Sequence, residues 1–163
     1  MLELFLKYLR FEKRYSDLTV SSYKIDLQQF ANFIKEELNL KEFNSVNHKT
    51  ARSWIINLSS ENLAPTTINR KIASVKSFYK YLISREKLNE NPFKKITLLK
   101  KEKKLPKFIK EKDIKIMFDQ SKFENNLTDI RNLLILELLY GTGIRLSELI
   151  NLKIKDCDLN KSQ

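Results

Sequence analysis

The sequence predicts an all-α N-terminal domain of four helices, a basic linker, and the opening helices of a second domain. Three observations carry this reading. Through most of the first 90 positions apolar residues recur at alternating three- and four-residue spacing, the pattern of helices that bury one stripe. The 163 residues include only two Gly and three Pro, too few for the turns of an all-β fold. The positive charge is also uneven: residues 91–115 hold ten basic against three acidic side chains, residues 1–90 fifteen against ten, and residues 116–163 six against seven. The chain therefore divides into a helical domain at 1–90, a linker at 91–107 and the start of a further domain at 108–163.

Leu2, Phe5, Leu6 and Leu9 form the stripe of a first short helix. Val20, Tyr23, Leu27, Phe30 and Ile34 form that of a second, which Ser16 or Thr19 can cap. Asn47 is placed to cap a third helix that buries Ala51, Trp54, Ile55 and Leu58. A fourth opens with Pro65 at its first position, carries Ile68, Ile72, Val75, Tyr79 and Leu82 on one stripe, and is expected to stop near Asn91-Pro92. Four helices in this length make a compact bundle. After the linker, Ile114, Met117 and Phe118 begin a helix. Leu127 to Tyr140 form a longer, strongly apolar one that ends at Gly141-Thr142-Gly143, where glycine permits the positive φ of a helix stop. A new helix follows from Arg145, and alternation of Ile154, Asp156 and Asp158 with their neighbours predicts a strand opening over Lys153 to Leu159.

Composition narrows the function classes. Hydrophobic residues make up 42% of the chain, with ten Phe and six Tyr, which supports real cores and argues against disorder. A lone Cys157, expected to be buried, and a single histidine, His48, give neither a disulfide framework nor a zinc site. No metal or cofactor is expected. The N-terminus lacks the continuous apolar stretch of a secretory signal, and the run Leu133 to Tyr140, interrupted by Glu137, is far short of the ~20 residues of a membrane span. A cytoplasmic protein is expected. Its formal net charge of +11 points to a polyanionic partner, nucleic acid first.

The outward faces sharpen that expectation. Opposite its core stripe the fourth helix shows Thr66, Arg70, Ala73, Ser74 and Ser77, with Asn69 and Lys80 on its shoulders. The face is small, polar and basic, as a helix entering a major groove requires. The second helix shows Ser21, Ser22, Gln28, Gln29 and Asn32, flanked by Lys24. Both faces are also compatible with ordinary solvated surface. Lys100, Lys101, Lys103 and Lys104, with Lys94, Lys95 and Lys107, either follow a phosphate backbone or keep a solvated tether extended; the first reading is favoured.

The run Leu-Leu-Tyr-Gly-Thr-Gly-Ile-Arg-Leu-Ser-Glu-Leu at 138–149, followed by Leu152 and Asp156-Cys157-Asp158-Leu159, resembles the first catalytic-arginine motif of the tyrosine recombinases, the Xer-type and phage-type integrases. Two further stretches resemble that family's helical, SAM-like core-binding domain. One is Thr19, Tyr23, Asp26, Leu27 and Phe30; the other is Pro65, Thr67, Ile68, Arg70, Ala73, Ser77, Phe78, Tyr79, Tyr81 and Leu82. Asn91-Pro92 and Leu105-Pro106-Lys107 resemble its linker. The resemblance implies a mixed α/β catalytic domain after the linker and a C-shaped clamp on duplex DNA. It also implies a tyrosine that attacks a phosphodiester to give a 3′-phosphotyrosyl intermediate without metal or cofactor, and homo- or hetero-tetramers of recombinase subunits on DNA. Arg145 matches the first of two arginines that bracket the phosphoryl oxygens, and Glu148, three residues on, is placed to orient it.

The family's later elements, a lysine hairpin, a His-x-x-Arg helix, a His or Trp and the nucleophilic Tyr, have no match in these residues. His48 lies at the start of the third helix as a surface or backbone-contacting residue, and Tyr140, closing an apolar helix, reads as core packing. Ala64 and Lys110 stand where the family has capping residues, a loss of about 1 kcal/mol each. The expectation is thus an N-terminal portion of a longer enzyme, able to bind DNA and by itself inactive. A stand-alone non-catalytic DNA-binding module or regulator of recombination sites is the alternative, and a helical protein-interaction module the third reading.

Overall fold

Four apolar stripes on four helices close one core in the first part of the chain. The computed structural model describes residues 1–36, 39, 42–100, 102, 105, 108–120 and 126–157, with the backbone alone at 117, 119 and 120. Among the described residues the regular structure is helical, with no strand. They fall into two units, Met1–Lys103 and Lys104–Gln163.

In the first unit α1 (Leu2–Lys7) widens into a π-helical turn over Tyr8–Glu12, closed by the Lys13 N–H on the Tyr8 carbonyl at 3.0 Å. This keeps Phe5 and Leu9 on the core and sets the Tyr8 ring 4.9 Å from that of Tyr81. The chain reverses at Arg14, whose φ is 53°, and enters α2 (Asp17–Glu36), capped by the Ser16 hydroxyl on the Thr19 N–H at 3.3 Å. A short 3-10 turn at Phe43–Ser45 leads to α3 (His48–Ser60), where the Asn47 side chain accepts from the Thr50 N–H at 3.0 Å. Pro65 opens α4 (Pro65–Ser84), and Ala64 provides no side-chain cap.

The aromatic residues of these helices meet edge to face. Phe30 lies 4.8 Å from Trp54 and 5.5 Å from Phe93, and Phe5 lies 5.3 Å from Phe78. Such pairs add about 0.5–1.5 kcal/mol each beyond the area they bury. Tyr79, buried among them, donates to the Phe43 carbonyl at 2.9 Å, and burial pushes its phenol far above the ordinary range.

One expectation about the end of this unit is corrected. Helix α4 stops at Ser84, well before Asn91-Pro92. Glu86 takes a left-handed φ of 55°, its N–H reaching the Ile83 carbonyl and that of Lys87 the Leu82 carbonyl, both at 2.9 Å. That pair of bonds is a Schellman closure without its usual glycine. Beyond α4 the chain packs back on the same core. Phe93 is buried in the core, and Ile96 and Leu99 pack against it.

The second unit contains α5 (Glu111–Gln120), α6 (Leu127–Thr142) and α7 (Leu146–Asn151). Gly143, at φ 66°, caps α6, while Gly141 lies inside the helix. In place of the expected strand, Ile154–Asp156 form a 3-10 turn, closed by the Asp156 N–H on the Lys153 carbonyl at 2.8 Å; Asp158 and Leu159 lie outside the described residues. Cys157 is exposed, not buried. Among the described residues Tyr140 is 57% exposed, with the Phe118 ring beside it. None of the residues of α6 is buried, although Leu133, Leu134, Ile135, Leu136, Leu138 and Leu139 surround it on all sides.

The left-handed Glu86 gives a direct stability test. Glu86→Gly relieves the Cβ clash and is expected to raise unfolding free energy by about 0.5–1 kcal/mol, and Glu86→Val to lower it, as read by thermal and urea denaturation.

Candidate nucleic-acid interface

Helices α2 and α4 lie antiparallel along a polar seam, with Tyr23 meeting Ser77, Asp26 meeting Ser74 and Arg70, and Gln29 meeting Lys71. Asp26 is the centre of it. The residue falls on the core stripe of α2, three after Tyr23 and four before Phe30, and is 0% exposed. Its Oδ2 accepts from Arg70 Nη1 at 2.5 Å and from the Ser74 hydroxyl at 2.7 Å, and its Oδ1 from Lys71 Nζ at 3.4 Å. Lys71 also donates to Gln29 Oε1. A buried carboxylate is tolerated only when paired and hydrogen-bonded, and here one anion meets two cations. The excess positive charge falls on the Arg70 side, because Lys71 is buried and the Arg70 side chain is 50% exposed. Burial raises the Tyr23 phenol above its ordinary value, the nearby Tyr15 adds to this, and the Ser77 hydroxyl partly opposes it.

The candidate DNA-facing residues separate into groups. Thr66 and Arg70 are exposed on α4 with Ala73 and Lys80, and Ser77 is half-buried at their edge. Ser74, expected to face outward, is buried against Asp26. Asn69 is only 5% exposed, with its amide bonded to the backbone of Leu99. Lys24 and Gln28 are exposed, but at 100° per residue they lie about 160° or more round α2 from Asp26, away from the seam. The Gln28 amide donates to Asn32 Oδ1 at 3.1 Å. Lys100 is exposed, and Lys101, Lys103 and Lys104 lie outside the described residues. The ring of His48 contacts the Pro92 carbonyl at 3.3 Å, which requires the proton on Nδ1.

Lys71 escaped the sequence reading, and Asp26 entered it only as part of a motif. The signal was present: each is a charged residue on an apolar stripe, Asp26 between Tyr23 and Phe30 and Lys71 between Ile68 and Val75. Opposite charges on the stripes of neighbouring helices imply a buried pair.

In the second unit Arg145 is the residue just before α7, with extended φ and ψ of −72° and 147°. Both oxygens of Glu148 serve it: Oε2 accepts from the Arg145 backbone N–H and Oε1 from its Nη1, each at 2.9 Å. Only this half of a capping box exists, since a guanidinium has no acceptor to offer in return. These two bonds, the backbone one first, hold the Glu148 carboxyl below its ordinary range. The Arg145 side chain remains 81% exposed, so its other N–H groups face solvent.

Comparison with known proteins gives the family. Residues 2–86 match the family described as "Phage integrase, N-terminal SAM-like domain" and residues 107–163 the "Phage integrase family". The chain belongs to the phage integrase family of tyrosine recombinases. The Tyrosine recombinase XerC of Staphylococcus epidermidis is 42% identical over 159 residues, an alignment covering 97% of this chain and 52% of that protein. XerC of Bacillus pumilus is 37% identical over 160 residues, covering 98% and 52%. The chain spans about half the length of the curated relatives it matches. The Tn1549 transposon integrase, solved in complex with circular intermediate DNA, shares the fold with a TM-score of 0.71 at 21% identity, over 97% of this chain and 50% of that one.

Asp26→Ala leaves Lys71 buried without its anion and is expected to destabilise the first unit by about 3–5 kcal/mol in urea denaturation. For Glu148, a carbon-13 titration should give a midpoint below the ordinary ~4.3. The depressed value means that the Arg145 contacts are intact at neutral pH and are lost as pH falls through that midpoint. Arg145→Ala should raise the midpoint only part of the way, because the backbone N–H remains.

Proposed function

We propose that this chain is the DNA-binding domain and the first catalytic arginine of a site-specific recombinase acting in the cytoplasm. The complete enzyme breaks and rejoins duplex strands through a 3′-phosphotyrosyl intermediate. The observation that carries the reading is the state of Arg145: one edge tied to Glu148, the rest of the guanidinium open to solvent, at the matching place in the family motif.

That geometry suits phosphoryl transfer. When a tyrosine oxygen attacks the phosphorus, the bond to the 5′ oxygen breaks and charge builds on the non-bridging oxygens. A planar fork presents parallel N–H donors to two of those oxygens, which a lysine does not. Because Glu148 fixes the side chain beforehand, less rotamer entropy is lost when phosphate arrives. Thr66, Arg70 and Ser77 on α4, Lys24 and Gln28 on α2, and Lys100, Lys101, Lys103 and Lys104 after them are assigned to duplex DNA. Arg70 and the lysines supply sequence-independent affinity and the hydroxyls and amides supply base or backbone hydrogen bonds. Assembly as a homo- or hetero-tetramer on the recombination site belongs to the same proposal.

Two measurements test it. The chain should retard duplex DNA in a gel, with affinity falling at least about tenfold between 50 and 200 mM salt. A polypeptide that carries these residues together with the family's nucleophilic tyrosine should trap a covalent adduct on a nicked suicide substrate, and Arg145→Ala should abolish the adduct while leaving binding within about twofold. Failure to form any adduct refutes the catalytic assignment.

A further inference from the structure

The chain after α4 stays fastened to the helical domain. Asn91 Nδ2 donates to the Lys76 carbonyl at 3.1 Å, the His48 ring meets the Pro92 carbonyl at 3.3 Å, and Phe93 is buried in the aromatic core. A further fastening is Asn69. Its Nδ2 donates to the Leu99 carbonyl at 2.9 Å, and its Oδ1 accepts from the Leu99 N–H at 2.8 Å. An amide that uses both its donor and its acceptor on one residue's backbone fixes the direction as well as the position of that segment. The same side chain is then unavailable to a base edge.

Asn69 is flanked on α4 by the exposed Thr66, one turn earlier, and the exposed Arg70, the next residue. Lys100, also exposed, follows directly on the residue that Asn69 grips. We infer that Asn69 is a positioning residue: by holding the backbone of Leu99 it holds Lys100 beside the Thr66 and Arg70 end of α4, so that the three side chains meet one stretch of DNA phosphate backbone. A lysine on an unfastened segment reaches phosphate only after several residues are ordered, whereas one that follows a fastened residue loses little more than its own side-chain freedom. The inference rests on the DNA-binding reading above and adds to it the device that joins helix and linker into one surface.

The test is a mutant cycle on the full chain, with binding to a labelled mixed-sequence duplex of about 30 base pairs followed by fluorescence anisotropy across a salt series. In the native background Lys100→Gln is expected to weaken binding about threefold and to lower the salt slope by about one. In Asn69→Ala, and separately in Leu99→Pro, the same change should have less than half that effect on log Kd. Leu99→Pro removes the donated N–H while leaving every α4 side chain in place, so it carries the comparison if Asn69→Ala fails to fold. A purely structural Asn69 would shift the melting temperature and leave the Lys100→Gln ratio unchanged. Equal ratios in all backgrounds, or no effect of Lys100→Gln in the native one, overturn the positioning role while DNA binding stands. A native chain without salt-sensitive binding overturns the DNA reading itself, and this inference with it.

Discussion

A carboxylate withdrawn from water must recover both its hydrogen bonds and its counter-charge, and Asp26 recovers them entirely from α4. That requirement sets the antiparallel register of α2 against α4, because only one alignment brings Arg70, Lys71 and Ser74 to the same two oxygens. Much else follows from it. Ser74 is buried, Arg70 is held at the surface with part of its guanidinium outward, and the Asn69 shoulder of α4 is left to receive the linker. Apolar stripes alone would hold these helices together with less discrimination, since hydrophobic contact is non-directional, whereas two cations and a hydroxyl on one anion tolerate no slip along the axis.

The two units answer to different physics. In the first, an aromatic core with an internal ion network accounts for every fully buried large side chain among the described residues. In the second, α6 is apolar on all sides and none of its residues is buried. A helix of that composition belongs in the middle of a domain. Arg145 needs no such enclosure to be oriented, because Glu148 is local to it. Arg145 is thus held by bonds to a residue three positions away in sequence, independent of how the rest of the domain packs.

Linker and helix also divide the positive charge differently from what a segment count suggests. Ten of the basic residues lie in 91–115, yet the first stretch of that run is laced to α3 and α4 by Asn91, His48, Phe93 and Asn69. Part of the +11 of the chain therefore lies on a shaped surface, and under the proposed DNA-binding role this favours a defined phosphate track over diffuse attraction.

The sequence by itself determined the four helices, most of their core stripes, the Asn47 cap, Pro65 at the start of α4, and the Arg145–Glu148 pair, and left the cap of α2 between Ser16 and Thr19. All of these are local: they depend on spacing within a turn or two of helix, where side chains at three- and four-residue intervals must be neighbours. Only the tertiary structure decided where α4 stops, because Glu86 takes a conformation that sequence assigns to glycine. It also decided that Cys157 and Tyr140 are exposed, and that Asn69 and Ser74 face inward. Helical periodicity places a residue on one side of its own helix. It does not say whether a second helix or a returning strand will cover that side, and for Asn69 the covering residue lies thirty positions away in the chain.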